Sequence, residues 1–409
     1  MTNEINSYYF DHKPTKKEER LIDLSTDDGV AFSSSTVTDA INAARWETEG
    51  GAHKSCAGSL MGYKFFTEAV SAELSAYDGF VDPDNIRVNR GDITSFPSLW
   101  GSFPKDTRIY IPVPTARETL CGADEYFEEP CFFSSDCVFD KPVPSDISAA
   151  KCSEALPEVI YLSLSNDPTG LTFTYSELTA WIDYAKKISA VIIFDTTLGI
   201  FCEVSEWRRE YPRTVYEIPG ACECAVEVCS FAPSYRAGIP CGYCIIPEGV
   251  RFRGRSLLSV YDKKLKAAGK KTPESSCFER HVSYVIQRGA AAHLSPAGKL
   301  ESMKTAKEYQ RNARKLCAAL ALKGFECTFG GVSPYIFGRF CDDGFGFPFP
   351  PKSVSACEHL ENKLAIRVLR GDAFGLHDKK SNGWQEYMRI SGAVVRDKAE
   401  EAQLRILGL

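Results

Sequence analysis

The stretch Cys229-Ser-Phe-Ala-Pro-Ser-Tyr-Arg-Ala-Gly-Ile-Pro-Cys-Gly-Tyr-Cys-Ile-Ile-Pro247 decides how this chain folds. It begins as the end of an apolar run, Ala225–Phe231, and leads into a second run entered through Gly242. The reading is strand, sharp irregular turn, strand. Cys222-x-Cys224 and Cys241-x-x-Cys244 invite a metal or redox assignment. Residues three apart on a strand point to opposite faces, however, so Cys241 and Cys244 should diverge.

Working outward, the preceding sequence alternates between apolar runs and helical spacing. Strands are expected over Ile86–Asn89, Arg108–Val113, Glu158–Leu164 and Ala190–Asp195. Thr174-x-x-Glu177 is a capping box, followed by an apolar stripe at Leu178, Trp181, Ile182 and Ala185. Ala190–Phe194 is apolar on both faces and closes on a carboxylate. Such strands belong to a mostly parallel sheet covered by helices on both sides. Ligands of these sheets sit beyond the carboxyl ends of the strands, where Asn166, Asp167, Asp195 and Ser230 all fall.

Earlier in the chain, helices are expected over Thr36–Trp46 and Phe65–Tyr77, with a glycine-rich loop, Gly50–Gly58, between them. Beyond Pro247 come a basic helix to Lys271, a helix over Cys277–Leu294 and a long one over Ser302–Leu322. Strands at Tyr335–Phe337 and Tyr387–Ile390 and a last helix over Asp397–Leu407 follow, with a proline-rich loop at 344–351. The expected organisation is an N-terminal arm with part of the small domain at 1–45, a large three-layer α/β/α domain at 46–290 and a smaller α+β domain at 291–409.

The 409 residues suffice for a large core with a satellite domain. A net charge of −6, with no dominant basic segment, argues against a nucleic-acid or anionic-membrane surface. No leader-like segment or long apolar run is present, so the expectation is a soluble, cytoplasmic protein. The sixteen cysteines are scattered through a large chain and read mostly as reduced, buried small hydrophobes.

Ser165-Asn166-Asp167-Pro168-Thr169-Gly170, the strand ending at Asp195, Ser230-Phe231 and Ala237-Gly238-Ile239-x-x-Gly242-Tyr243 follow one another in the order and spacing of known motifs. With Val215–Ala221, Gly79-x-x-x-Pro83 and Arg389, they resemble fold-type I, class I/II, pyridoxal-phosphate-dependent aminotransferases. The likeness is to the branch that includes LL-diaminopimelate aminotransferase. It implies a fold-type I architecture, a homodimer and a site for a small carboxylate or amino-acid ligand.

Carried over residue by residue, the resemblance implies a dismantled cofactor site. Asp195 matches the aspartate that faces the pyridine nitrogen, and Ser230 is retained. Asp167 stands where an asparagine bonds the ring hydroxyl, and Leu198 where a tyrosine shares it. Ala116 replaces the stacking aromatic. Gly91-Asp92-Ile93 replaces the phosphate-binding turn and puts an anion beside the site of a dianion. Ala57 replaces a phosphate-contacting tyrosine and Pro240 the phosphate arginine. The Schiff-base lysine aligns with Pro233, or with Ser234 if the one-residue deletion lies earlier.

Arg389 matches the arginine that grips the substrate's α-carboxylate, and Asn166 lies beside it as a second substrate-binding candidate. Tyr235 and Arg236 are expected to fill the vacated cofactor volume or bind a new anion. Lys54, beside His53, is an alternative amine, and His281 and His293 read as structural.

The expectation is an aminotransferase-like binding, scaffolding or regulatory protein with no catalytic residue and no cofactor, pyridoxal phosphate being implied by resemblance only. The alternative is an aminotransferase with a displaced lysine, or a cofactor-independent enzyme in the same crevice. No metal site is expected.

Overall fold

A computed structural model describes residues 21–27, 34–49, 61–75, 81–91, 97–135, 137–149, 155–206, 208–233, 235–268, 282–329, 331–340, 356–375 and 387–408. The loops holding His53, Lys54 and Ala57, the 344–351 segment, and Asp92, Ile93, Ser234 and His281 lie outside the described residues.

The strands are, in chain order, β1 (Ile22–Asp23), β2 (Ile86–Asn89), β3 (Ile109–Pro112), β4 (Cys131–Phe133) and β5 (Val159–Ser163). They continue with β6 (Val191–Asp195), β7 (Ala225–Ser230), β8 (Gly242–Ile245), β9 (Arg251–Phe252) and β10 (Arg255–Ser256). The last five are β11 (Phe325–Thr328), β12 (Tyr335–Phe340), β13 (Ile366–Arg367), β14 (Leu369–Arg370) and β15 (Tyr387–Ser391).

The central sheet has seven strands in the order β2-β8-β7-β6-β5-β3-β4. All neighbours are parallel except around β8, which runs against both β7 and β2. The period-2 alternation of side chains sends each apolar run to both faces. Ile160, Leu162, Ile192 and Phe194 meet Leu178, Trp181, Ile182 and Ala185 of the Tyr175–Ile188 helix on one side. Val159, Ile193, Val226 and Val228 meet Trp100, Leu257 and Tyr261 on the other. The capping box forms as expected: the Thr174 hydroxyl accepts from the Glu177 amide and the Glu177 carboxylate accepts from the Thr174 amide.

Cys241 and Cys244 pack into different clusters, as the spacing on β8 requires. Gly242 sits where three backbones converge. A Cβ there would lie 2.6 Å from both the Cys229 carbonyl oxygen and the Gly91 Cα. The first belongs to β7 and the second follows β2, the two strands that pair with β8, so Gly242→Ala is expected to cost about 1–3 kcal/mol, read as a lowered urea midpoint with unchanged m-value.

The smaller sheet is antiparallel in the order β11-β12-β15-β14, and β1 pairs with β13. The Pro296–Ala321 helix links the two cores. Its Ala306 and Tyr309 join the large-sheet cluster, while Ala313, Leu316 and Leu320 join Ile336 and Ile390. This helix starts six residues before the expected Ser302, because Ser295 caps it and Pro296 occupies its first turn. The basic helix begins only at Leu257, after the β9–β10 hairpin, and the described part of the next begins at Tyr284, capped by Ser283. Strand β4, three residues long, and the Arg117–Tyr126 helix were not expected from the sequence pattern. Cys131 is disulfide-bonded, an exception to the reduced reading.

Candidate functional site

The register Ser163↔Asp195 and Asp195↔Val228 brings the carboxyl ends of β5, β6 and β7 side by side. A cleft of about 510 Å³ opens there, bounded on its far side by Arg389 of β15 and by Tyr335 and Phe374. Ser25 and Asp27, which follow β1, line it from the N-terminal segment. Gly91, Ala116, Leu198, Ser230 and Pro233 line it as well, and so do Asn166, Asp167 and Asp195. Pro240 is exposed and is not among the lining residues.

Asp195 is buried at the end of β6. Its Oδ1 accepts from the Thr197 amide at 2.8 Å and its Oδ2 from the Tyr161 hydroxyl at 3.1 Å. Desolvation raises its pKa, against the pull of those hydrogen bonds. The Thr197 hydroxyl in turn accepts from the Ser230 amide at 3.0 Å, joining the β6 and β7 ends. Ser230 Oγ accepts from the Ala232 amide at 3.1 Å, which closes the first bend of the irregular turn.

The decisive contact is one that sequence reading missed. Arg389 Nη1 donates to both carboxylate oxygens of Asp167, at 3.2 and 3.0 Å, and its Nη2 donates to the Ser25 carbonyl at 2.6 Å. The guanidinium carbon lies 4.5 Å from the Tyr335 ring centroid and 5.6 Å from that of Phe374. Burial opposes the charge of Arg389, but the Asp167 carboxylate more than offsets this and its pKa is raised. Asp167 is pushed up to about 6 by desolvation, with Arg389 acting in the opposite direction. The expected partner of Arg389 was a substrate carboxylate; the observed one is the carboxylate that replaces the asparagine. The signal was available, since an Asp at that motif position needs a cation and Arg389 was already placed at the same crevice.

The amide of Asn166 donates to the Pro114 carbonyl at 2.9 Å and to Thr169 Oγ1 at 3.0 Å, so its nitrogen holds the loop. Tyr235 lines the cleft and packs on Phe201, ring centroids 4.9 Å apart. Arg236 turns away from it, donating to the Thr197 and Thr196 carbonyls at 2.8 Å each. The expectation of filling is therefore corrected for Arg236: its guanidinium is held by the Thr196 and Thr197 carbonyls, and the cleft stays open beside Tyr235. His293 is structural, buried beside Ser302 Oγ at 3.1 Å, with its pKa pushed down to about 3 by burial and by Arg236 and Lys299.

The described residues of the cleft differ from the placement of pyridoxal phosphate that the resemblance implies. No lysine is among the described residues lining the cleft. A Cβ at Gly91 would lie 2.3 Å from the Cys241 carbonyl oxygen. Asp167 faces Arg389, not a ring hydroxyl. Among the described residues no cluster of metal-ligating side chains is found, and no helix is long and apolar enough to cross a membrane.

A seven-stranded, mostly parallel sheet with its cleft at the strand ends, closed by a small antiparallel sheet, is the architecture of fold-type I aminotransferases. Residues 145–406 match the family model for aminotransferases of class I and II, and the chain belongs to that family. It is 30% identical over 372 residues to an LL-diaminopimelate aminotransferase of Desulforapulum autotrophicum, covering 85% of this chain and 81% of that protein. It is 28% identical over 352 residues to one of Desulfosudis oleivorans, covering 82% and 81%. Among solved structures it is similar to the L,L-diaminopimelate aminotransferase from Chlamydomonas reinhardtii, with a TM-score of 0.76, 21% identity and coverage of 98% and 92%.

Proposed function

We propose that the cleft binds a small amino-acid-like molecule without holding pyridoxal phosphate through an internal Schiff base. The observation that carries this reading is an open cleft of about 510 Å³, a size typical of small-molecule sites, whose described lining includes Pro233 at the lysine's place and no lysine. The phosphate contacts that the resemblance implies are lost at Ala57 and Pro240, and the anion at Asp92 adds repulsion, which supports it. Each charge-assisted contact contributes about 1.5–3 kcal/mol, so losing several lowers cofactor affinity by orders of magnitude. A homodimer belongs to this proposal by resemblance.

The family and the relatives' names speak for a second reading, a pyridoxal-phosphate-dependent aminotransferase similar to LL-diaminopimelate aminotransferases. Asp195 at the end of β6 and the open cleft favour it. It requires an amine from outside the described lining, for which Lys54 is the sequence candidate. Titrating the purified protein with pyridoxal phosphate separates the two. The first reading expects only the spectrum of free cofactor; a saturable Schiff-base band that borohydride fixes, and that Lys54→Ala removes, establishes the second.

A further inference from the structure

We propose that the cleft selects an amine whose carboxyl group is masked as a neutral amide, because Asp167 already occupies the arginine that would hold a free carboxylate. This rests on the cleft being a binding site, as above, and names its ligand class.

The first observation is the state of Arg389. A bidentate grip on a carboxylate uses two parallel N–H donors of one guanidinium. Both terminal nitrogens of Arg389 are engaged by oxygens of the chain itself, Nη1 by Asp167 and Nη2 by Ser25. The rings of Tyr335 and Phe374 pack against it, 4.5 and 5.6 Å from the guanidinium carbon to the ring centroids. An incoming carboxylate meets a cation whose charge is already balanced, next to an anion of its own sign.

The second observation is independent of the first. Arg389 is 7% exposed and lines the cleft, while its Nε is itself buried and has no partner among the described residues. A buried unpaired N–H calls for one acceptor oxygen. A neutral carbonyl supplies that acceptor without adding charge.

The third is the sign of the remaining lining. Asp27, Glu118, Asp167 and Asp195 face the cleft against the guanidiniums of Arg117 and Arg389, four carboxyl groups to two cations. Asp27 receives the hydroxyls of Tyr335, at 2.7 Å, and Ser391, at 2.6 Å, and Asp167 keeps 21% of its side chain exposed. An ammonium carries three donors and one positive charge, which this lining accommodates. An α-amino amide therefore suits the cleft: its carbonyl brings an acceptor toward Arg389 without a second negative charge, and its ammonium meets the acids.

The experiment is calorimetric titration of the full chain with two matched pairs, L-lysinamide against L-lysine and L-leucinamide against L-leucine. The amide of each pair is expected to bind the wild type about tenfold or more tightly than its acid. Asp167→Asn leaves the side chain's shape but frees the guanidinium, and should shift the amide-to-acid ratio by at least about tenfold toward the acid. The assignment is overturned if the wild type prefers or equals the acids, if neither amide binds, or if Asp167→Asn folds and leaves the ratio unchanged. If that variant does not fold, the wild-type ratios decide alone. A Schiff-base band with pyridoxal phosphate sinks the reading of the previous section, whereas acid preference without that band sinks only this one.

Discussion

Arg389→Ala is expected to lower the stability of the fold by about 3–5 kcal/mol at neutral pH, the usual cost of stranding one partner of a buried ion pair. The guanidinium is 7% exposed and joins three parts of the chain: Asp167 after β5, the Ser25 carbonyl after β1, and its own strand β15. Its removal leaves the Asp167 carboxylate without its cation and opens a gap beside Tyr335 and Phe374. The double variant Arg389→Ala/Asp167→Asn should recover part of the loss, because no uncompensated charge remains. The loss should also shrink on acidification. Asp167 already sits near 6 with its partner present; without that partner it rises further, so at pH 5 the stranded group is neutral. Urea unfolding at pH 5 and pH 8 measures both effects, and equal losses at the two values would show that Asp167 does not carry the cost.

Glu227→Gln is expected to remove a pH-dependent loss of stability of about 3 kcal/mol. Glu227 lies on β7 with no exposed surface. Its Oε2 accepts from Thr214 Oγ1 at 2.6 Å and from the Val215 amide at 2.9 Å, while Oε1 accepts from Thr196 Oγ1 at 3.3 Å. Desolvation, opposed by these hydrogen bonds and assisted by Glu217, pushes its pKa up from 4.5 to about 7. Between those values the folded protein holds a proton that the unfolded chain has released, so stability falls as pH rises through this window and is level above it. At 1.36 kcal/mol per unit the span amounts to about 3 kcal/mol. Glutamine keeps its oxygen for Thr214 and Val215 and turns its amide toward Thr196, whose hydroxyl also lies 3.2 Å from the Val228 carbonyl. The difference in unfolding free energy between variant and wild type should therefore grow from pH 4.5 to 7 and then stay constant. A flat difference would place the titration elsewhere.

Much of the large sheet was legible in the sequence, because its strands are long apolar runs and its helices carry caps. Ile86–Asn89, Val191–Asp195 and the Thr174–Glu177 box are local signals that act over a few residues. The short strand β4 and the β9–β10 hairpin were not legible, since two or three residues carry no usable period. Of the cleft, Asp195, Ser230, Asp167 and Arg389 were located by motif; Asp27, Glu118, Tyr161 and Phe374 were not, as each is isolated in sequence and reaches the cleft through chain reversal.

The sequence by itself determined the family, the parallel sheet and the absence of a lysine from the turn after Ser230, because these depend on the order of residue types along the chain. Only the tertiary structure decided that the cleft remains open, that Arg236 points to the Thr196 and Thr197 carbonyls, and that Arg389 is held by Asp167, 222 residues away. Those outcomes depend on which charges and unpaired groups meet once two sheets close on one another, and no local pattern records that meeting.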